Sequence, residues 1–363
     1  MLFEFKVDQD IVATENNQVK LNKDKIYIAN KFWTERIPIS DKPIPIEKNE
    51  YKIDIDANNK KILFIMSSGF GDVLFLTPLI KIIKDKYPES LIGFATARPN
   101  QDILQLIDNI NQIVDYPIDK EIFDTYDYIF KVEDLVKNSE KNIYETFLKH
   151  LGIIDIQPEM CRPIIKQKIT NNIQVNNKLI GIHPFATDGI RNLNFNLVLN
   201  LCQKLDYNII LFSNKKEMEQ YKHTFDGTKI KWAIESINNM ISTARLLAQC
   251  KFVFSTDSVI THLAQAIGVK NICLYGPFSA ESRVKHYTNI TVIDNNPDCR
   301  CSLHQYGKCP KGFSSSPCLF FDPDMINNII NDNEINLNPV LHNSIVNKYN
   351  LEETNVEKEK ENS

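Results

Sequence analysis

The chain has 363 residues and a formal charge of -4, a soluble globular composition long enough for two domains of roughly 150 residues each. With no Lys/Arg stripe, this balance excludes a nucleic-acid reading, and no apolar run reaches the ~18 residues of a membrane helix. Met1–Asp10 has no signal-peptide pattern, so the expectation is a cytoplasmic protein with at most peripheral membrane contact.

Residues 1–60 carry short β-like runs, "LFEFKV", "KIYIAN" and "YKIDID", and a Pro-rich stretch, "IPISDKPIPIEK". They read as a small β-rich N-terminal extension. From Lys61 the chain alternates: strand 62–66, a helix with apolar Leu76, Leu79, Ile80 and Ile83, strand 91–96, helix 101–110, strands 112–116 and 126–132, and helix 144–151. Around 155–177 the pattern breaks into polar, Pro-containing sequence, a linker. It then restarts with strand 178–184, helix 195–205, strand 208–213, helices 215–225 and 241–250, strand 251–256, helix 257–268 and strand 270–276.

Strands this apolar, interleaved with helices, imply parallel sheets covered on both faces. The expected architecture is α/β with two doubly wound domains, 61–170 and 171–335, and ligand at the strand carboxyl ends. Residues 336–363 read as a polar, disordered tail.

The first strand leads into Gly69-Phe70-Gly71-Asp72, a tight turn at a helix N-terminus. A dinucleotide fingerprint fails here. The third glycine is absent, no acid follows the second strand, and Asp72 would repel a pyrophosphate. No P-loop is present either. Asp72 suits an N-cap, and it equally suits a carboxylate displayed at a site, with the glycines bringing backbone close and exposing it. In the second half, Asp257 and His262 stand five residues apart on another strand–helix junction.

Four of the eight cysteines, Cys299, Cys301, Cys309 and Cys318, lie within twenty residues, with His304 among them. These are ligand types for a tetrahedral Zn or Fe, in irregular spacing. Unliganded, buried thiols are the alternative.

"SSGFGDVLFLTP" (67–78) and "TDSVITHLAQAIGVKNICLYGP" (256–277) resemble the two signature blocks of glycosyltransferase family 9, the ADP-heptose:lipopolysaccharide heptosyltransferases. The second block, D-[ST]-x-x-x-H with a downstream Y-G-P, is the more specific. "GIHPFATDGIRNLNF" (181–195) resembles the family's loop carrying a basic residue to the donor phosphates, and the cysteine segment resembles one seen in many members. The resemblance spans about residues 61–335 and implies the GT-B fold, two facing Rossmann-like domains, with inverting, metal-independent sugar transfer. Two departures are visible. Val259 stands where a glycine is usual, and Arg191, shifted by about one residue, where a lysine is usual.

The resemblance makes Asp72 the base that takes the acceptor proton. Arg191, assisted by Lys215 or Lys216 and the amides heading helix 258–268, would meet charge on the departing diphosphate. Thr187 and His183 lie near this donor loop. Asp257 would accept hydrogen bonds from sugar hydroxyls, with an N-cap role besides, while Ser258 and Thr261 offer hydroxyls to phosphate. His262 would contact phosphate or order the loop. Glu217 is a candidate for the nucleotide ribose, against a solvated helix face.

The implied donor is an ADP-sugar, ADP-heptose first, and the acceptor a lipopolysaccharide core or other lipid-linked glycan. No cofactor is required, and any Zn or Fe would be structural. A protein acceptor, a nucleotide-sugar epimerase and a non-catalytic binding module are the alternatives.

Overall fold

The computed structural model describes residues 1–11, 20–67, 69–136, 141–225, 227, 230–233, 239–294 and 317–331. The chain forms two compact units, one of Met1–Ser139 and Ile143–Lys166, the other of Glu140–Asn142 and Gln167–Ser363.

The strands in chain order are β1 (Leu2–Phe5), β2 (Tyr27–Asn30), β3 (Ile44–Ile46), β4 (Lys61–Ile65), β5 (Leu91–Thr96), β6 (Gln112–Asp115), β7 (Ile118–Asp119) and β8 (Tyr128–Lys131) in the first unit. In the second they are β9 (Asn176–His183), β10 (Asn208–Phe212), β11 (Ile230–Ala233), β12 (Cys250–Thr256), β13 (Lys270–Tyr275) and β14 (Ile290–Asp294).

The first unit holds two sheets. A parallel sheet runs β6-β5-β4-β8, and an antiparallel sheet runs β3-β1-β2-β7. The second sheet is the N-terminal extension, and it is not detached. It takes β7 from beyond residue 60, and Phe5, Ile28 and Ala29 share one apolar core with Leu63, Ile65, Ala95 and Val114. Two expectations are corrected here. "YKIDID" forms no strand: Tyr51 is fully buried and its amide donates to the Ile129 carbonyl at 2.7 Å. The Pro-rich stretch instead supplies β3, at the sheet's edge, where Pro45's missing N–H costs no ladder bond.

The helix expected at 101–110 is also different. Arg98–Leu106 is 3₁₀, with Pro99 in its first turn and Ile103, Leu104 and Leu106 buried. The helix after β4 breaks into Phe70–Leu74 and Thr77–Lys86, the latter burying Leu79, Ile80 and Ile83 as the spacing predicts.

The second unit is a six-stranded parallel sheet ordered β11-β10-β9-β12-β13-β14. In chain order this is the doubly wound 3-2-1-4-5-6 arrangement, whose ligand crevice opens where the strand order reverses, here between β9 and β12. Its core is built from Ile180, Ile182, Leu211, Phe252, Phe254, Ile272 and Leu274, with Phe321 from the C-terminal segment edge-on to Phe254. The first unit's parallel sheet reverses in the same way between β4 and β8. Among the described residues no helix is long and apolar enough to cross a membrane.

Candidate functional site

The switch point of the second unit gathers the residues of the D-[ST]-x-x-x-H block. β9 and β12 run in register, Ser255 beside His183, so the chain leaves both strands at the same level. The helix Val259–Ile267 starts directly after β12, and Gly268 ends it in the left-handed region at φ 88°. Its N-cap is Ser258, extended, with no side-chain capping bond. Asp257 is therefore not the cap, contrary to that part of the sequence reading.

Asp257 turns onto Arg191 instead. Arg191 Nη1 donates to the Asp257 carbonyl oxygen (2.9 Å) and to its Oδ2 (3.2 Å). The loop backbone is pinned as well, because Thr256 Oγ1 donates to the Arg191 carbonyl at 2.6 Å. Burial alone would push the Asp257 carboxyl up. Arg191, Arg283 and His262 outweigh it and hold the group below the usual carboxylate range. Arg191 and Arg283 both stand over the Phe278 ring, at 5.4 and 4.6 Å from its centroid.

Both histidines are buried and neutral at pH 7. Burial lowers His183 to about 3, and its Nδ1 bonds Ser258 Oγ at 2.9 Å across the switch point. Burial lowers His262 to about 4, with Asp257 opposing and Arg283 and Arg191 adding to the drop. His262 Nε2 lies 4.0 Å from Asp257 Oδ1 and Nδ1 lies 2.8 Å from Tyr287 OH. A carboxylate facing Nε2 favours the proton there, which leaves Nδ1 to accept from the tyrosine. Thr261 points inward, its Oγ1 donating to the Thr256 carbonyl (2.8 Å) beside Ser255 Oγ (2.9 Å). It ties helix to strand.

The remaining donor candidates are spread more widely. Thr187 is exposed in the loop after β9. Lys215 is 75% exposed and 3.9 Å from Glu219, a solvated helical pair. Glu217 is no solvated face. It closes a capping box with Asn214, accepting that residue's amide at 2.8 Å, and burial raises its pKa. Of the cysteine cluster, Cys299, Cys301 and Cys309 lie outside the described residues. Cys318 is buried against Gly276, where an added Cβ would stand 2.6 Å from its Sγ. Among the described residues no group of three or more His, Cys, Asp or Glu could hold a metal.

In the first unit Asp72 sits in the first turn of Phe70–Leu74, two residues inside the helix. The N-cap is Gly69, so the capping role falls for Asp72 too. Gly69 has φ -64° and ψ 171°, a conformation any residue adopts, and an added Cβ would meet nothing within 4 Å. The glycine leaves open space beside the turn that leads to Asp72.

Sequence reasoning missed Arg283, Phe278 and Tyr287, which the fold brings to Asp257 and His262 from beyond β13. Their sequence signal is faint: a single arginine in "PFSAESRV" and a tyrosine twenty-five residues from its histidine.

No curated protein matches the chain by sequence. Residues 164–310 match the family model "Glycosyltransferase family 9 (heptosyltransferase)". The glycosyl transferase family 9 structure from Veillonella parvula is similar at a TM-score of 0.53 and 15% identity, covering 66% of this chain and 87% of that one. E. coli ADP-heptose lps heptosyltransferase II is similar at 0.54 and 15%, covering 74% and 98%. The iron-containing dodecameric glycosyltransferase TibC from enterotoxigenic E. coli is similar at 0.52 and 12%, covering 97% and 91%. At these identities the likenesses establish the fold, the GT-B class of those heptosyltransferases. The match to the model of glycosyltransferase family 9 lies over the segment that builds the Arg191–Asp257 site.

Proposed function

We propose that the chain transfers a heptose, or a closely related sugar, from an ADP-linked donor to a glycan or lipid-linked glycan acceptor, with inversion at the anomeric carbon. The observation that carries this reading is the Arg191–Asp257 pair at the head of the Val259–Ile267 helix, inside the family-matched segment. Arg191 Nε is buried with no hydrogen-bond partner among the described residues, and a phosphate oxygen would satisfy it. Two guanidinium groups against one carboxylate, with both histidines neutral, leave the site net positive where helix amides also favour an anion. That balance suits a diphosphate. The choice of ADP-heptose follows the relatives, one of which is described in complex with ADP-D-beta-D-heptose.

In the proposed step the acceptor hydroxyl oxygen attacks the anomeric carbon while its bond to the β-phosphate oxygen breaks. ADP departs with the bonding pair, its new charge met by Arg191 and Arg283, and the acceptor proton passes to the Asp72 carboxylate. Asp257 holds the Arg191 fork in place for this. Ser258, Thr261 and His262 brace the loop and helix around it, and Glu217, beside β10, is left as the ribose candidate. A Zn or Fe held by Cys299, Cys301, Cys309 and Cys318 would serve the fold of the second unit.

The test is calorimetric titration with ADP, UDP, GDP and NAD, followed by thermal shift with ADP-heptose. At 100 times its dissociation constant a ligand stabilises by about 2.7 kcal/mol, which a melt resolves. Binding of ADP-heptose lost in Arg191→Gln supports the reading; binding of NAD alone sinks it. Release of free sugar without any acceptor would favour an epimerase.

A further inference from the structure

The first unit's switch point holds a buried carboxylate to which none of the preceding chemistry assigns a part. Glu133, just beyond β8, is 4% exposed. Its Oε1 accepts a hydrogen bond from the Ser67 amide, just beyond β4, and its Oε2 accepts one from Asn30 Nδ2 at 2.9 Å. A charge this deep in a protein is tolerated only with strong partners, and a carboxylate between two N–H donors has them.

Each partner leads somewhere. The β4 ladder ends at Met66, whose amide donates to the Ala95 carbonyl at 3.0 Å. The next amide, Ser67, is handed to Glu133. Gly69 then receives the Asp72 amide on its carbonyl (3.1 Å) as the helix begins. Glu133 thus fixes the near end of the short turn that carries Asp72.

On the other side stands the N-terminal sheet. Asn30 closes β2, and its side-chain oxygen, side-chain nitrogen and backbone N–H each have a partner. Oδ1 caps the Lys31–Thr34 helix at the Trp33 amide (3.3 Å), the backbone amide donates to Tyr116 OH (2.6 Å), and Nδ2 reaches Glu133. The cap settles the orientation of the amide group, so that only Nδ2 can face the carboxylate.

We propose that Glu133 is a positioning residue that aims Asp72 through the Ser67 amide, and that Asn30 of the N-terminal sheet sets Glu133 in turn. The inference rests on Asp72 being the base. It gives residues 1–60 a share in the transfer step: the extension is the outer support of the catalytic turn.

The chemistry offers an exchange test. Glu133→Gln can still accept from Ser67, but its NH₂ then opposes Asn30 Nδ2, donor against donor. Adding Asn30→Asp restores complementarity, with the amide now donating to the new carboxylate, which also keeps the cap on Trp33. The assay is ADP release from ADP-heptose with a deacylated lipopolysaccharide core acceptor. Alongside it run ADP titration, melting temperature, and hydrogen exchange of the peptide covering residues 67–74.

Glu133→Gln is expected to lower kcat about tenfold, leave ADP affinity unchanged and speed exchange at 67–74. The exchange pair should restore kcat to within about threefold and slow the exchange again. In an Asp72→Asn background Glu133→Gln should cost nothing further. Normal kcat in Glu133→Gln, or no recovery in the pair when its melting temperature has recovered, overturns the proposal. Should Glu133→Gln not fold, Asn30→Ser keeps the cap and removes only the Glu133 contact; unchanged kcat there overturns it equally. An Asp72→Asn enzyme with full turnover is a different failure, that of the base assignment itself.

Discussion

Arg191 and Asp257 meet through a single guanidinium nitrogen, which donates to both the backbone carbonyl and the side-chain carboxylate of the aspartate. The two side chains are only 18% and 7% exposed, so neither charge has much water to fall back on. Removing one member of such a pair strands the other and costs ~3–5 kcal/mol. Arg191→Ala should therefore destabilise the second unit by about that much in urea titrations. Asp257→Asn should cost less, because Arg191 keeps its bond to the carbonyl and its partial exposure. The double variant should recover part of the Arg191→Ala loss. An Arg191→Ala protein as stable as wild type would mean that the carboxylate is not held by this arginine.

The neutral histidines make the same unit acid-sensitive. His183 and His262 are lowered to about 3 and about 4, from an ordinary value near 6.5. Between pH 6.5 and 4 the unfolded chain binds a proton on each and the folded chain does not, so stability rises with pH through that window. It is complete above about pH 6.5 and is lost as the pH falls, by ~2 kcal/mol per histidine at pH 5. Asp257, also lowered, works in the same direction, but only below its unfolded value of about 3.9. The measurement is unfolding at pH 7, 6 and 5 in a Trp33→Phe protein, which leaves Trp232 to report on the second unit. His262→Gln should remove about half of the pH dependence. Flat stability from pH 7 to 5 would show that these histidines are not buried neutral.

How much of this was legible in the sequence depends on distance along the chain. The parallel strands were readable because a strand covered on both faces is a near-continuous apolar run, as in "ILFIM" and "KFVFST". The Asp257 block was readable because its parts lie within six residues. The Asn30–Glu133 contact joins residues 103 apart, and Arg283 reaches the site only after β13 has brought the chain back. No local pattern encodes either one. The capping expectation for Asp72 and Asp257 failed for a different reason. An aspartate at a strand–helix junction is a good cap on average, but Gly69, three residues before Asp72, and Ser258, one after Asp257, take that place.

Gly69 gives a prediction that separates fold from function. Its backbone suits alanine, and the added methyl would meet nothing within 4 Å. Gly69→Ala should change stability by no more than ~1 kcal/mol, since the narrower unfolded ensemble and the poorer N-cap oppose one another. The open space lies beside the turn leading to Asp72, where a methyl group would crowd a sugar. Turnover should fall about tenfold with ADP affinity unaltered, because a small displacement of the reacting groups is expensive. A Gly69→Ala enzyme with normal kcat and KM would show that the space is not used by substrate.

Asp72 itself carries the sharpest expectation. It lies in the first turn of Phe70–Leu74, whose N-cap is Gly69. An acid in a first helical turn still gains ~0.3–1 kcal/mol from the helix dipole, and Asp72→Asn should lose no more than that in a thermal melt. Its effect on turnover should be far larger. General-base catalysis typically contributes 10²–10⁴-fold, and asparagine cannot take the acceptor proton. ADP binding, assigned to Arg191 and the second unit, should stay within about twofold of wild type. The three readings together decide the matter: kcat down by orders of magnitude, ADP affinity kept, and fold kept. If instead kcat falls only in step with a collapse of the melting temperature, Asp72 is a structural residue of its helix and the acceptor proton leaves by another group.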